Sequence, residues 1–542
     1  MDVGHEVFNQ SEPLVGHDLF AGGAALRDAL RLNGPGLDTA SLERLGKSLA
    51  TSQMQAHARS AHQWPPQLRT HDRWGRRIDE VEFHPSYHAL MAAACEAGLH
   101  GSPWQEGEGA HLLRAAGFIM FTQLEPASLC PVSMTYSAYP ALAGNAALQA
   151  AWGPGLGTRA YDARALPWNH KAGLTLGMGM TEKQGGSDLR GTTTRARHDG
   201  DDAWGRRMRV TGHKWFFSAP MCDAHLVLAQ APAGLTCLLL PRILPDGTRN
   251  AVRLQRVKDK LGNRANASAE VEFDEALAWQ VGEEGRGIPQ ILAMGALTRL
   301  DCALGTSGLM RAALSIAVDH ARQRSAFGRP LLSQPLMRNV LADLALEAEA
   351  ASALSLRLAR AVSDPAEAAL ARVLTPVAKY WICKRGSAFA QEAMECLGGN
   401  GYVEEGGEGV LARIYREMPV NSIWEGAGNI MALDLLRALR RPEAREALQA
   451  ELTLSRGAHA ALDRCTDSLV ERCDTADDEL SARSLAQEVA LAAQASLLWR
   501  GAPAFVAQAF CDARFGHTGS AVFGTLPAHC DFEAIVQRAL PR

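Results

Sequence analysis

The chain reads as an α+β fold of several domains, helical at both ends with an antiparallel β-barrel between, and three observations carry that reading. Up to residue 173 the spacing is mostly helical: AGGAALRDALRL and SYHALMAAACEAG place apolar residues three and four apart. From Leu174 to Phe273 short runs (LTLGMGM, MRVTG, HLVLAQ, LTCLLLPR, AVRLQRV, AEVEF) alternate with turn signals such as HDGDD and PDGTRN. After GEEGRGI the helical period returns in two long Ala- and Leu-rich pieces, IPQILAMGALTRLDCALGTSGLMRAALSIAVDHARQR and QPLMRNVLADLALEAEAASALSLRLARAV, which describe a bundle. The expected division is a helical domain over 1–173, a barrel over 174–283, a helical bundle over 284–441 and a helical extension over 442–542. Interruptions of the first domain, such as HQWPPQLRTHDRWGRR, read as loops.

At 542 residues the chain can bury a large core, and its 47% hydrophobic and 21% charged residues are ordinary globular values. A net charge of −4 argues against an overall basic coat for nucleic acid while leaving room for a local basic patch. Eleven scattered cysteines with no C-x-x-C pair point to reduced thiols rather than disulfides or structural zinc, and no metal site is expected. The opening MDVGHEVFNQSEP lacks the basic and apolar regions of a signal peptide, and no apolar run of membrane-spanning length occurs. A cytoplasmic protein without a membrane segment is the expectation.

Four segments carry chemistry. GMTEKQGGSDLRG, Gly179 to Gly191, offers the hydroxyls of Thr181 and Ser187 and puts no side-chain bulk at Gly185 and Gly186. Backbone N–H groups can therefore approach a flat, polar, partly anionic ligand, although a polar turn leaving a strand would read the same way. GHKWFFSAP, Gly212 to Pro220, sets three aromatics beside Ser218, which suits either a buried aromatic cofactor or a core strand. In NSIWEGAGNIM, Glu425 stands between Trp424 and Gly426. An aromatic, partly dry setting raises a carboxylate's pKa and suits it to remove a weakly acidic C–H proton, whereas most single glutamates are solvated or cap a helix. ARQRSAFGRPLLSQP is basic and leads into Phe327-Gly328, either reaching a phosphate or ending a helix with charges in its last turn.

In this order the segments resemble the acyl-CoA dehydrogenase flavoprotein superfamily. GMTEKQGGSDLRG matches its first signature at every specified position, and QEAMECLGGNGY followed by SIWEG resembles its second signature and catalytic region. TEKQGGSD, HKWFFS, KDKLGNR, TRLDCALG and REMPVNSIWEG, with the helical tail, are closer still to the adaptive-response branch of that superfamily. The resemblance implies the acyl-CoA dehydrogenase-like fold, one FAD per subunit, an acyl-CoA substrate and a homotetramer. It places Met178, Met180, Thr181, Gly185, Gly186, Ser187, Phe216, Phe217 and Ser218 at the flavin, and with them, from the segment that carries the base, the cofactor-binding Ile423, Trp424, Gly426, Gly428 and Asn429. Thr181, Ser187, Ser218 and Asn429 would also meet substrate, and Ser218 would face flavin N5. Glu425 would remove the α-proton while the β-hydride passes to N5, the carbonyl being polarised by the glutamate's own N–H and a ribityl hydroxyl. Arg324, Phe327, Gly398, Gly399 and Gly401 resemble residues that reach the FAD of a neighbouring subunit.

Three departures stand out. Phe216 occupies the place of the family's flavin-packing tryptophan, Glu395 stands where glutamine is usual, and the segment from Gly401 to Glu425, containing VEEGGEG, is longer than usual and reads as a loop. Glutamate rather than aspartate at 425 disfavours a nitroalkane oxidase. The adaptive-response resemblance also implies binding of duplex DNA in an alkylation response with weak dehydrogenation. Against it stands a fully active dehydrogenase or oxidase without a DNA role. Arg437, Arg441 and Arg445 lie at four-residue steps with Arg440 beside them, one cationic face if the helix persists, or a solvated face. The basic stretch Arg73 to Arg77 and Arg514 are the other places where DNA would be met.

Overall fold

A computed structural model of the protein describes residues 4–405, 409–474, 478–516 and 521–541. The chain forms two compact units: Met1–Gln55 with Ala115–Leu124 and Cys302–Arg542, and Ala56–Arg114 with Glu125–Asp301. Among the described residues no helix is long and apolar enough to cross a membrane.

The second unit holds the barrel. Ala224–Ala231, Arg195–Asp202, Gly205–Ser218, Ser268–Val281 and Gly234–Pro241 pair in that order, and the last returns to pair with the first, which closes the ring. Val252–Val257 adds to Ser268–Val281. The barrel is not wholly antiparallel as the sequence suggested. Leu176–Gly179 runs parallel to Ala224–Ala231, and Arg195 meets Gln230 in a parallel pairing, because in both cases the chain between the paired strands crosses over and returns in the same direction.

The apolar runs AHLVLA and LTCLLLP are buried at every step, since each has two dry faces. Val227, Ala229, Leu238 and Leu240 join Met208, Phe217 and Phe273 in one core. Leu226, Leu228, Cys237 and Leu239 pack with Leu142, Trp152 and Leu156 from the helices Leu129–Ala141 and Ala146–Gly157 and the turn between them. The segment read as loops near residue 70 is instead a hairpin, Gln67–His71 with Arg77–Glu82, around a turn whose amides at Trp74 and Arg76 bond the Asp72 carboxylate. Its alternation was hidden because nearly every side chain on it is polar.

In the first unit a helix of 29 residues, Pro335–Ser363, is buried on nearly every side from Leu341 to Leu358. Around it lie Ala24–Asn33, Ala368–Glu395, Ala482–Gly501, Ala504–Arg514 and Phe532–Ala539. Arginines of the extension pin it to acids of the central helix. Arg514 donates to Asp343 at 2.7 Å and to Glu347 at 3.0 Å, and Arg538 donates to Glu349 at 2.6 Å. Arg357 of the central helix and Arg500 both bond Glu451. Arg514, with 5% of its side chain exposed, is thereby removed as a DNA-contacting candidate. The segment from Gly401 to Glu425 is mostly the helix Val410–Asn421 rather than a long loop, with residues 406–408 of VEEGGEG outside the described residues.

Candidate active site

The barrel unit brings the first two segments together. Leu176–Gly179 lies on the stacked rings of Phe217 and His225, whose centroids are 3.9 Å apart. A Cβ at Gly177 would fall on the His225 ring and one at Gly179 on the Phe217 ring. Both glycines are therefore demanded by close packing, while Met178 and Met180 point the other way and pack on the second core. Gly179→Ala is expected to cost about 1–3 kcal/mol, the usual size of overpacking. Urea denaturation checks this, and unchanged stability would show that the ring gives way.

Beyond the strand, Thr181 accepts the N–H of Trp215 on its carbonyl at 2.8 Å, tying the glycine-rich stretch to Gly205–Ser218. A register shift in that strand then matters. Lys214 pairs with Val271 but Phe217 pairs with Ala269, so one extra residue is accommodated and the alternation of faces is broken. Lys214 and Phe217 both turn inward, and Phe216 is left 49% exposed, an aromatic face presented outward. Lys258 lies 3.3 Å over the Trp215 ring and 4.9 Å from that of Phe216.

Two residues that the sequence reading passed over organise this stretch. Lys214, buried in the barrel wall, donates to Glu182 Oε1 at 2.8 Å and to the Met180 carbonyl at 3.4 Å. Glu182 also accepts from Gln184 Nε2 and from the backbone N–H of Thr193 at 2.7 Å each, and from Thr193 Oγ1 at 2.8 Å. Burial pushes the Glu182 carboxyl up, but the hydrogen bonds from Lys214 and the Thr193–Thr194 segment outweigh it and hold Glu182 well below the ordinary carboxylate range. The available signal was a lysine at an inward position in an aromatic strand, which needs a buried partner.

The helical unit holds the other candidates. Glu425 has φ +59°, a left-handed conformation that is strained for a glutamate, and Gly426 follows at φ +114°. The buried Lys379, also absent from the sequence reading, donates to the Gly426 carbonyl and fixes this bend from the helix Ala368–Glu395. Trp424 is partly buried and its Nε1–H has no partner among the described residues; Ile423 is 63% exposed. Gly428 opens the helix Gly428–Leu439, where any side chain would meet the Lys384 stem, and Asn429 is exposed beside it.

Arg324 leads into the short hairpin Ser325–Ala326 with Arg329–Pro330, whose turn residues Phe327 and Gly328 have φ +52° and +79°. Phe327 at its tip is 98% exposed. Gly398 has φ +60°, Gly399 is open on its Cβ side, and a Cβ at Gly401 would strike the Met394 carbonyl. The Glu395 carboxylate accepts from Gln391 at 3.3 Å.

The four DNA candidates do not share one helical face. The helix ends at Leu439, Arg440 and Arg441 form the junction, and a new helix begins at Pro442. Proline disfavours helical geometry in the residue before it, which breaks the expected continuity at Arg441. Arg445 donates to the Leu439 carbonyl at 2.7 Å and pairs with Asp474 at 3.0 Å, while Arg437, Arg440 and Arg441 are exposed.

The residues present fit FAD. The hydroxyls of Thr181, Ser187 and Ser218 are engaged by no other described residue, Gly185 at φ +152° is open on its Cβ side, and Phe216 offers a flat face. Such a set of unused donors with an aromatic platform suits a large polar ring system.

Comparison with known proteins agrees. Residues 9–163 match the adaptive response protein AidB N-terminal domain, 177–276 the acyl-CoA dehydrogenase middle domain and 285–440 the acyl-CoA dehydrogenase C-terminal domain. The chain is 48% identical over 515 residues to the putative acyl-CoA dehydrogenase AidB of Escherichia coli, covering 94% of each. Among solved structures it is similar to Caenorhabditis elegans ACDH-11 in complex with C11-CoA, at 25% identity and TM-score 0.83, over 100% of this chain and 94% of that one. The apo form of Bd2924 is similar at 29% identity and TM-score 0.82, over 92% of this chain and 100% of that one. The chain belongs to the acyl-CoA dehydrogenase family of FAD-dependent enzymes, in the branch marked by the AidB N-terminal domain.

Proposed function

We propose that the protein oxidises a short or branched acyl-CoA at Cα–Cβ, slowly, with Glu425 as the base. The observation that carries the reading is the left-handed Glu425, held between Trp424 and a Gly426 whose carbonyl is fixed by Lys379. Strain of this kind persists only where the surroundings impose it, and it sets the backbone from which the carboxylate projects. Glu425 takes the α-proton on its carboxylate, and its own backbone N–H is the donor offered to the thioester oxygen as charge develops there. Bound FAD supplies the acceptor for the β-hydride. Thr181, Ser187 and Ser218 supply hydroxyls for the cofactor and substrate, and Phe216 supplies a packing face. The worm relative's complex with C11-CoA supports an acyl-CoA as the substrate class. Anaerobic titration with acyl-CoAs of graded length and branching tests the substrate, each productive one bleaching the oxidised flavin band.

A second reading, favoured by the exposed Arg437, Arg440 and Arg441 at one helix junction, is binding of duplex DNA in an alkylation response by a cytoplasmic homotetramer. Arginine–phosphate contacts position a duplex without reading bases, so affinity is expected to be insensitive to sequence. The slope of log affinity against log salt is expected to be about 0.9 per phosphate neutralised. Arg437→Ala with Arg441→Ala should lower both slope and affinity at unchanged flavin content, measured by fluorescence anisotropy. No binding at low salt would leave the alternative, a dehydrogenase or oxidase without a DNA role. An unchanged double variant would move the surface to the hairpin turn at Arg73 to Arg77.

A further inference from the structure

The N-terminal segment ahead of the first helix is exposed from Gly4 to Gln10, yet it is bonded to both stretches of the helical unit that the family resemblance assigns to a cofactor. Asn9 makes the principal bonds. Its side-chain Nδ2 donates to the Ser325 carbonyl and its Oδ1 accepts from the Ser325 N–H, both at 2.8 Å. Its own carbonyl accepts from Arg324 Nη1. Asn9 has φ +53°, a conformation asparagine tolerates better than most residues and one that lets backbone and side chain act together. One residue further, Gln10 Oε1 accepts from Asn400 Nδ2 at 3.2 Å, inside the Gly398–Gly401 turn. Ser11 and Glu12 then anchor the segment to His320 and Gln323 at 2.8 and 2.9 Å, in the last turn of the helix Gly287–Gln323.

We propose that Asn9 is a positioning residue for cofactor binding, acting through Arg324, with Gln10 steadying the Gly398–Gly401 turn; this rests on the reading that Arg324 and that turn meet an FAD phosphate. A free arginine loses much rotamer freedom when it grips an anion. A carbonyl on Nη1 removes part of that loss beforehand and leaves the remaining donors of the fork for phosphate oxygens. The paired bonds from the Asn9 amide to Ser325 also fix the backbone from which Arg324 projects. Phe327 and Gly328 at the hairpin tip follow from the same brace.

The test uses the full chain, stripped of flavin and titrated with FAD while flavin fluorescence is followed. Asn9→Gly keeps the backbone carbonyl and tolerates the positive φ while removing both side-chain bonds. It is expected to weaken FAD about three- to tenfold, the effect of roughly one side chain no longer held in advance. Asn9→Asp retains the acceptor for the Ser325 N–H and is expected to recover part of this. Arg324→Ala should weaken FAD at least as much, and the double variant no further than Arg324→Ala alone. That non-additivity is something a merely structural role would not produce. FAD affinity unchanged in Asn9→Gly but lowered in Arg324→Ala would overturn the inference while sparing the reading it rests on. Losses that simply add would overturn it too, showing that Asn9 acts other than through Arg324. Unchanged affinity in Arg324→Ala would instead remove the cofactor role of Arg324 and the inference with it.

Discussion

Glu425→Gln is expected to abolish most flavin reduction by acyl-CoA while leaving the protein yellow. Glutamine keeps the size and polarity of the side chain and the same left-handed backbone at φ +59°, so the bend held by Lys379 on the Gly426 carbonyl should survive. What is lost is the site that receives the α-proton. General-base catalysis contributes about a hundred- to ten-thousand-fold, and the rate of flavin bleaching should fall by that order. Stopped-flow reduction under anaerobic conditions measures it, with FAD content determined on the same sample. A variant that bleaches as fast as the parent would show that another group takes the proton.

The second large effect is on the scaffold of the glycine-rich stretch. Lys214→Met leaves the Glu182 carboxylate buried at 1% side-chain exposure without its lysine. Removing one partner of a buried pair costs about 3–5 kcal/mol, chiefly because the other charge stays uncompensated. The same change takes the lysine off the Met180 carbonyl, so Thr181 and the residues to Ser187 should lose their fixed course and FAD should be bound more weakly. Denaturation midpoint and FAD affinity are both expected to fall. Adding Glu182→Gln removes the stranded charge and keeps one acceptor oxygen, enough for the Thr193 N–H but not also for the Thr194 N–H, so stability should recover in part and FAD affinity less. A single Lys214→Met variant as stable as the parent would mean that the pair is neutralised or hydrated in the folded protein.

Much of this was legible in the chain. Long apolar periodicity marked the helices Gly287–Gln323 and Pro335–Ser363 nearly to their ends, because burial on most sides leaves a dense pattern of alanine and leucine. Turn signals separated the barrel strands for the equivalent reason. In the glycine-rich stretch the hydroxyls of Thr181 and Ser187 and the bare Gly185 and Gly186 could be read from the sequence, but a polar turn leaving a strand would read the same way. What stayed hidden depends on partners distant in sequence. The extra residue between Lys214 and Phe217 shows only against Val271 and Ala269, and without it Phe216 cannot be assigned a face. Arg514 resembled a free cation until Asp343 and Glu347, some 170 residues earlier, were found at its guanidinium. The break at Arg441 had a local cause, Pro442, which should have weighed more than the four-residue spacing of the arginines.

The central claim is that a chain with this glycine-rich stretch and a strained Glu425 is an acyl-CoA dehydrogenase in chemistry as well as in fold. The most direct measurement is anaerobic titration of the purified, unmodified protein with short, branched and longer acyl-CoAs while its visible spectrum is recorded. The account predicts loss of the oxidised flavin band with at least one thioester, with the matching 2-enoyl-CoA formed in equal amount and the loss suppressed in Glu425→Gln. A flavin-replete protein whose oxidised band persists through every thioester would contradict it.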